Sequence, residues 1–343
     1  MTAMHRRGAE TPVETVALPI VSPPVLAPPD PPRRRRARTA SARTEVPQRT
    51  AGSIVAACLE LTKPRIVSLV LFTGVPALLL AAHGWPAARL AWGSLAGIAL
   101  AAASAASFNH YFDRDIDALM RRTRTRPLPA GTLPPVAALL LGGALGAMSL
   151  GVLLVTANRL AAAIALVSIL YYALFYTVWL KRRTPMNIVI GGGAGASAPL
   201  IAWAAVTGRI ELPAALLASI IFLWTPPHFW ALSLYRRDDY ARAGIPMLPV
   251  THGEPETRRQ ILAYTLVLVA STLAVVPLTR LGVVYAASAL LLGAYFIAGA
   301  LRLLRDPGVS NAQKLFRYSI AYLFALFLAM SLDALLLAAR THR

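Results

Sequence analysis

Acidic residues are scarce in this 343-residue sequence and cysteine is almost absent. Fifteen Asp and Glu stand against thirty-four Lys and Arg, a formal charge of +19, and Cys58 is the single cysteine. One sulfur allows neither an intramolecular disulfide nor a thiolate metal cluster. Charge of either sign is sparse: 14% of residues carry it, where soluble domains carry about 25%. What fills the chain instead is apolar, with 57% hydrophobic residues and a mean hydropathy of +0.57. These residues fall in continuous runs of roughly 20, the length that spans a bilayer. Such runs exclude a soluble core, and also an outer-membrane barrel, whose strands alternate. The basic residues lie between the runs with no aromatic-interleaved basic domain, which argues against a nucleic-acid partner.

Residues 1–50 are compositionally distinct, passing from Pro23-Pro24, Pro28-Pro29 and Pro31-Pro32 into Arg33-Arg34-Arg35-Arg36. A segment of this kind buries too little apolar surface to offset its ordering entropy, and it has no apolar core of a cleavable signal peptide. It reads as a disordered cytoplasmic tail whose arginines meet lipid headgroups, with residues 51–343 forming a transmembrane domain. Nine apolar segments follow, near 66–83, 90–108, 135–155, 160–180, 187–206, 213–234, 260–279, 282–301 and 316–338. The predicted fold class is all-α integral membrane with nine transmembrane helices. With the N-terminus inside, connections 109–134, 181–186, 235–259 and 302–315 hold sixteen Lys and Arg, against four in the opposite connections. That positive-inside bias predicts an inner-membrane protein with its C-terminus outside. Connections 109–134 and 235–259 are long enough to be functional. They follow spans 2 and 6, equivalent places in a four-helix repeat. This predicts two pseudo-repeated halves around a central cavity open to the cytoplasmic side.

Asn109, Asp113 and Asp117 recur every four residues. On a helix that step drifts by only about 40°, so a carboxamide and two carboxylates line one face. The set suits Mg²⁺, which takes one or two carboxylates beside substrate phosphates. Arg121, Arg122, Arg124 and Arg126 follow, and guanidinium forks match phosphate oxygens. Together they predict a diphosphate site. The competing reading, a solvated loop whose acids and arginines pair with each other, is weakened by the membrane boundary, where ionisable groups are functional candidates. Asp115 points away from this face and is expected to pair with Arg114.

A second constellation is Trp224-Thr225-Pro226-Pro227-His228-Phe229-Trp230. The proline pair is expected to break the helix, with His228 directly after the break. His228 is either a satisfied core residue or a group that ligates haem iron or binds a propionate. Tyr235 and Asp239, again four apart, form a second oxygen-bearing face: an aromatic belt and loop acid, or a second Mg²⁺ position. Gly191-Gly192-Gly193-Ala194-Gly195 lacks the Lys-Ser/Thr of a phosphate loop and is expected to serve close helix packing.

Asn109-x3-Asp113-x3-Asp117 resembles the first acidic motif of the UbiA-type intramembrane prenyltransferases. The flanking residues are similar to one branch, the protohaem IX farnesyltransferases (haem O synthases). They are Asp113-Arg114-Asp115-Ile116-Asp117-Ala118-Leu119-Met120, Arg122-Thr123-x2-Arg126-Pro127-Leu128, Thr62-Lys63-Pro64-Arg65 and Leu180-Lys181-Arg182-Arg183-Thr184. Thr225-Pro226-Pro227-His228-Phe229-Trp230, Ile245-Pro246-Met247-Leu248-Pro249 and Tyr318-Ser319-Ile320-x-Tyr322-Leu323 belong to the same set, which runs from about 54 to 338.

The resemblance implies that Asn109, Asp113 and Asp117 bind Mg²⁺-diphosphate and that Arg122 and Arg126 act with them. It implies a haem-associated His228, a second-motif acid at Asp239, and substrate contacts from Tyr235 and Arg236. Tyr235 stands where relatives with aromatic acceptors carry another acid. Asp238 departs from a common Lys, leaving Arg236 or Arg237 to supply a basic contact. The implied reaction is haem B + farnesyl diphosphate + water → haem O + diphosphate. Mg²⁺ is then the cofactor and haem B a substrate, the bilayer is a partner, and haem A synthase or terminal oxidase assembly a protein partner. Prenylation of an aromatic ring in quinone or chlorophyll synthesis is opposed by Pro-Pro-His and Tyr235. A secondary transporter is opposed by acids placed at helix ends rather than mid-membrane.

Overall fold

A computed structural model describes residues 51–279 and 281–341; the tail 1–50, with its predicted disorder, lies outside them. The regular structure of the described residues is helical, and nine of their helices are long and apolar enough to cross a membrane. A short helix α1 (Ala51–Leu61) precedes the first span, α2 (Pro64–Ala81). Then come α3 (Ala88–Phe112), the short α4 (Arg114–Leu119) and α5 (Pro135–Thr156). The fourth span begins as α6 (Arg159–Leu170) and continues as a π-helix over Tyr171–Leu180. The fifth is α7 (Asn187–Gly195) followed by α8 (Ser197–Thr207), and the sixth is α9 (Leu212–Tyr235). Two short helices, α10 (Arg237–Arg242) and α11 (Leu248–Thr251), lead to α12 (Gly253–Leu278), α13 (Val283–Arg305) and α14 (Val309–Thr341).

Successive spans lie side by side, and α14 returns against both α2 and α9. The most enclosed spans are α3, α7–α8 and α9, and α3 and α9 carry the two polar constellations. By contrast α5 turns Leu140, Met148 and Val155 outward, as a lipid-facing helix does. Inside a bilayer apolar surface alone gives helices little reason to associate, so close packing and interhelical hydrogen bonds decide contacts. A Cβ on Gly97 would sit 2.5 Å from Leu153 Cγ, so α3 approaches α5 this closely only with glycine there. Ser104 Oγ donates to the Gly142 carbonyl and Ser149 Oγ to the Gly97 carbonyl, each at 2.7 Å.

Two expectations change. Pro226 and Pro227 do not break the sixth span: α9 runs through them. The carbonyls they leave unpaired are tolerated within a span enclosed by neighbours. Helices α12 and α14 also begin about a turn or two before the apolar runs do. Glu254 and Arg258 pair at 3.2 Å, and Gln260 Nε2 donates to Glu256 at 2.8 Å. Such i,i+4 pairs, with acids in the first turn, extend a helix into polar surroundings that hydropathy reads as loop.

Candidate active site

The predicted face of the first motif holds through the end of α3. Asp113 N donates to the Asn109 carbonyl at 2.9 Å and Asp117 N to the Asp113 carbonyl at 2.7 Å, so helical register crosses from α3 into α4. Asn109, Asp113 and Asp117 are 3%, 1% and 2% exposed, while Arg114 and Asp115 between them face outward.

Three residues that the acidic motif does not announce close around this face. Lys63 Nζ donates to Asn109 Oδ1 at 2.5 Å, and Lys181 Nζ to Asp113 Oδ2 at 2.6 Å. Asn109 Nδ2 donates to Asp113 Oδ2 at 2.7 Å and to Thr177 Oγ1 at 3.1 Å. Arg126 completes the cluster, its Nη1 lying 2.7 Å from Asp117 Oδ2. Lys181 and Arg126 thus meet two carboxylates, and protonated Lys63 on the Asn109 carboxamide adds positive charge for an anionic ligand. Burial and the neighbouring Arg126 pull the Lys63 ammonium down to about 7, with Asp113 opposing, Lys181 assisting and Asp117 opposing.

Local backbone chemistry places each of these groups. Lys63 caps α2 at φ 52, ψ 59, left-handed for a residue with a Cβ. The following Pro64 disfavours the right-handed helical region for Lys63 and starts α2 at its first position. Thr177 lies on the π-helix and Lys181 caps its end; such a wider turn is often found at functional sites. Thr177 Oγ1 donates to the Tyr172 carbonyl at 2.7 Å, leaving its lone pairs for Asn109. Tyr176 seats on Gly191, where a Cβ would fall 2.3 Å from the ring, and Gly192 faces Thr225. The glycine run therefore packs helices, as expected.

Two buried polar groups in this cluster lack partners. Asp113 Oδ1 accepts no hydrogen bond, and His110, 1% exposed beside Asn109, has neither ring nitrogen engaged. Unsatisfied buried groups call for an ion, water or ligand. A carboxylate oxygen without a donor, among hard oxygen atoms, fits Mg²⁺. No three His, Cys, Asp or Glu side chains converge on one ion position among the described residues. A cation here is therefore limited to the Asn109, Asp113 and Asp117 face plus oxygens from a substrate, which is how Mg²⁺ commonly binds.

The second motif is built differently from the expectation. Helix α9 ends at Tyr235, and Asp239 N donates to the Arg236 carbonyl rather than to that of Tyr235. Tyr235 and Asp239 therefore do not share a continuous helical face, because the chain turns at Arg236. Asp239 is buried and paired with Arg242. Arg236 lies 5.6 Å over the Tyr235 ring, and Arg237 reaches Glu254 at 3.9 Å. Arg122 is exposed. Asp115 pairs with Arg182 through both guanidinium nitrogens at 2.7 Å, not with Arg114, whose guanidinium sits 4.4 Å over Tyr111.

His228 lies between two rings, Trp224 at 4.3 Å and Phe316 at 4.6 Å, both nearly parallel to it. Its Nδ1 is 2.7 Å from Ser319 Oγ, which donates its own proton to the Phe316 carbonyl. Nδ1 is thereby the protonated nitrogen, and Nε2 keeps its lone pair. Trp224 Nε1 donates to the Ser319 carbonyl at 2.7 Å and fixes the same turn of α14.

The profile of the UbiA prenyltransferase family matches residues 70–330. This chain belongs to that family. Among curated UbiA relatives, a protoheme IX farnesyltransferase from Symbiobacterium thermophilum is 48% identical over 284 residues, covering 82% of this chain and 95% of its own length. A solved digeranylgeranylglyceryl phosphate synthase structure shares the fold at a TM-score of 0.69 and 20% identity, covering 82% of this chain and 98% of that one. A UbiA homologue from Archaeoglobus fulgidus, bound to DMAPP and Mg²⁺, does so at 0.57 and 17% identity, with 79% and 98% covered. The nine membrane-length helices of the described residues thus share the fold of these structures, and with the family the transporter reading falls away.

Proposed function

We propose that this chain transfers farnesyl from farnesyl diphosphate to a vinyl group of haem B, adding water to give haem O and diphosphate. The observation that carries the transferase chemistry is the buried Asp113 carboxylate, one oxygen free and the other held by Lys181, with Lys63 and Arg126 on flanking Asn109 and Asp117. The acceptor is supported by the protoheme IX farnesyltransferase relatives and by the aromatic-sandwiched His228.

Asn109, Asp113 and Asp117 would hold Mg²⁺ through the first motif, and Asp239 would hold a second. Bound Mg²⁺ supplies positive charge where the departing diphosphate develops its own negative charge. Lys181 and Arg126 then exchange their carboxylate partners, and Lys63 its Asn109 carboxamide, for phosphate oxygens, with Arg122 and Arg236 at the rim and Tyr235 beside them. His110 gives a further hydrogen bond from inside. The carbon–oxygen bond of the allylic diphosphate breaks, and the apolar spans keep water from the cation. The haem vinyl carbon bonds to it, and water captures the new cation with loss of a proton. His228 presents a lone pair at Nε2, which suits haem iron; a propionate would need a donor there.

The basic ends of the bundle face the cytoplasm of a bacterial cell with the membrane as inner membrane, and a haem A synthase or terminal oxidase assembly receives the product. The test is expression in membranes supplied with haem B and farnesyl diphosphate, followed by mass analysis of extracted haems. Haem O is expected, and Asp113→Ala is expected to abolish it with the protein still inserted. Near-normal haem O from that variant defeats the site, and prenylated 4-hydroxybenzoate in place of haem O selects the aromatic-acceptor reading.

A further inference from the structure

We propose that the groove between α13 and α14 binds the headgroup of an anionic phospholipid. At the end of the bundle that carries Asp113, a cavity of about 260 Å³ opens between these helices. Tyr295, Ala298, Gly299 and Arg302 line it from α13, spaced to share one face. Asn311, Lys314, Leu315 and Tyr318 line it from α14 with the same spacing. The two helices run in opposite directions, so both stripes place their aromatic residues toward mid-bilayer and their basic residues toward water.

Arg317 completes the basic rim. Among the described residues, Arg302, Lys314 and Arg317 enter no ion pair. The acid in the adjoining turn, Asp306, instead accepts from Asn311 Nδ2 at 2.8 Å. Three cations without an acid, above a floor of Tyr and Leu, match a phosphodiester carrying acyl chains; basic pockets between spans recognise such headgroups. An acyl chain has a path along exposed Tyr295 and Leu291, one turn deeper on α13. A free phosphate would engage the rim and leave that path uncovered. The floor of the groove is separate from the rings stacked on His228, since Phe316, not Tyr318, meets that imidazole.

The full chain would be reconstituted in phosphatidylcholine nanodiscs holding a minority of phosphatidylglycerol, then released into detergent for native mass spectrometry. Phosphatidylglycerol is expected to be retained over phosphatidylcholine by at least about tenfold, given three basic groups at the surface. The triple variant R302Q/K314Q/R317Q is expected to lose that preference, and K314Q alone to weaken it should the triple variant fail to fold. Added inorganic phosphate is expected to leave the retained lipid in place. Equal retention of both lipids by the wild type, or variants as selective as the wild type, overturns the proposal. Displacement by inorganic phosphate overturns it too, by identifying a free anion as the occupant.

Discussion

Lys63→Gly sets two consequences of one residue against each other. A Cβ in the left-handed region costs about 1–2 kcal/mol, which glycine removes. Glycine returns roughly 0.5–1 kcal/mol of that as lost chain entropy. The substitution also deletes the 2.5 Å hydrogen bond from Lys63 Nζ to Asn109. A charged hydrogen bond is worth about 1.5–3 kcal/mol, here reduced because the ammonium is desolvated. These opposing contributions leave stability within about 1–2 kcal/mol of the parent. Catalysis has no such compensation. If Lys63 donates to the leaving diphosphate, the same 1.5–3 kcal/mol lowers kcat/KM by about 10- to 150-fold, at roughly tenfold per 1.4 kcal/mol. The assay is haem O formation by detergent-purified protein at varied farnesyl diphosphate, beside a thermal-melt measurement of the folded fraction. A folded variant with kcat/KM within about threefold of the parent refutes the role given to Lys63.

His228→Ala is expected to raise the KM for haem B while leaving farnesyl diphosphate binding intact, and Ser319→Ala to do the same more weakly; parallel loss of both substrates would contradict the separation of the two sites. Gly191→Ala drives a methyl into the Tyr176 ring, so it should displace Thr177 and Lys181 and cut activity more than tenfold, read by the same assay. Asp333 Oδ2 accepts from Tyr285 N at the start of α13. Asp333→Ala should therefore cost about 1–2 kcal/mol of stability, as loss of an N-cap does, whereas Asp333→Asn should keep most of it in thermal melts.

Legibility in the sequence followed how locally each feature was written. Asn109, Asp113 and Asp117 were readable because one helix carries all three at a fixed interval. Lys63, Thr177 and Lys181 were not, because they lie 46 or 68 residues away from their partners. Only the presence of Lys63 and Lys181 in family-like fragments hinted at two of them, and nothing hinted at Thr177. The π-helix escaped notice for a related reason: its winding accompanies Tyr176 seated on Gly191, a contact between two spans. Asp115 looked like a partner for adjacent Arg114, yet Arg182 from the next inner connection wins it with a two-pronged geometry. The apparent break at Pro226-Pro227 misled because a lone helix in water, not one enclosed by neighbours, sets that rule. His110 offered no motif at all; only its enclosure without partners marks it.

The serine that orients the imidazole comes from α14, three spans after the helix that carries His228. Everything through α13 can insert while His228 still lacks the group that fixes its tautomer. A nascent chain stalled before residue 319 would therefore hold Lys63, Arg126 and Lys181 with their partners around the first acidic motif and leave the His228 imidazole unset.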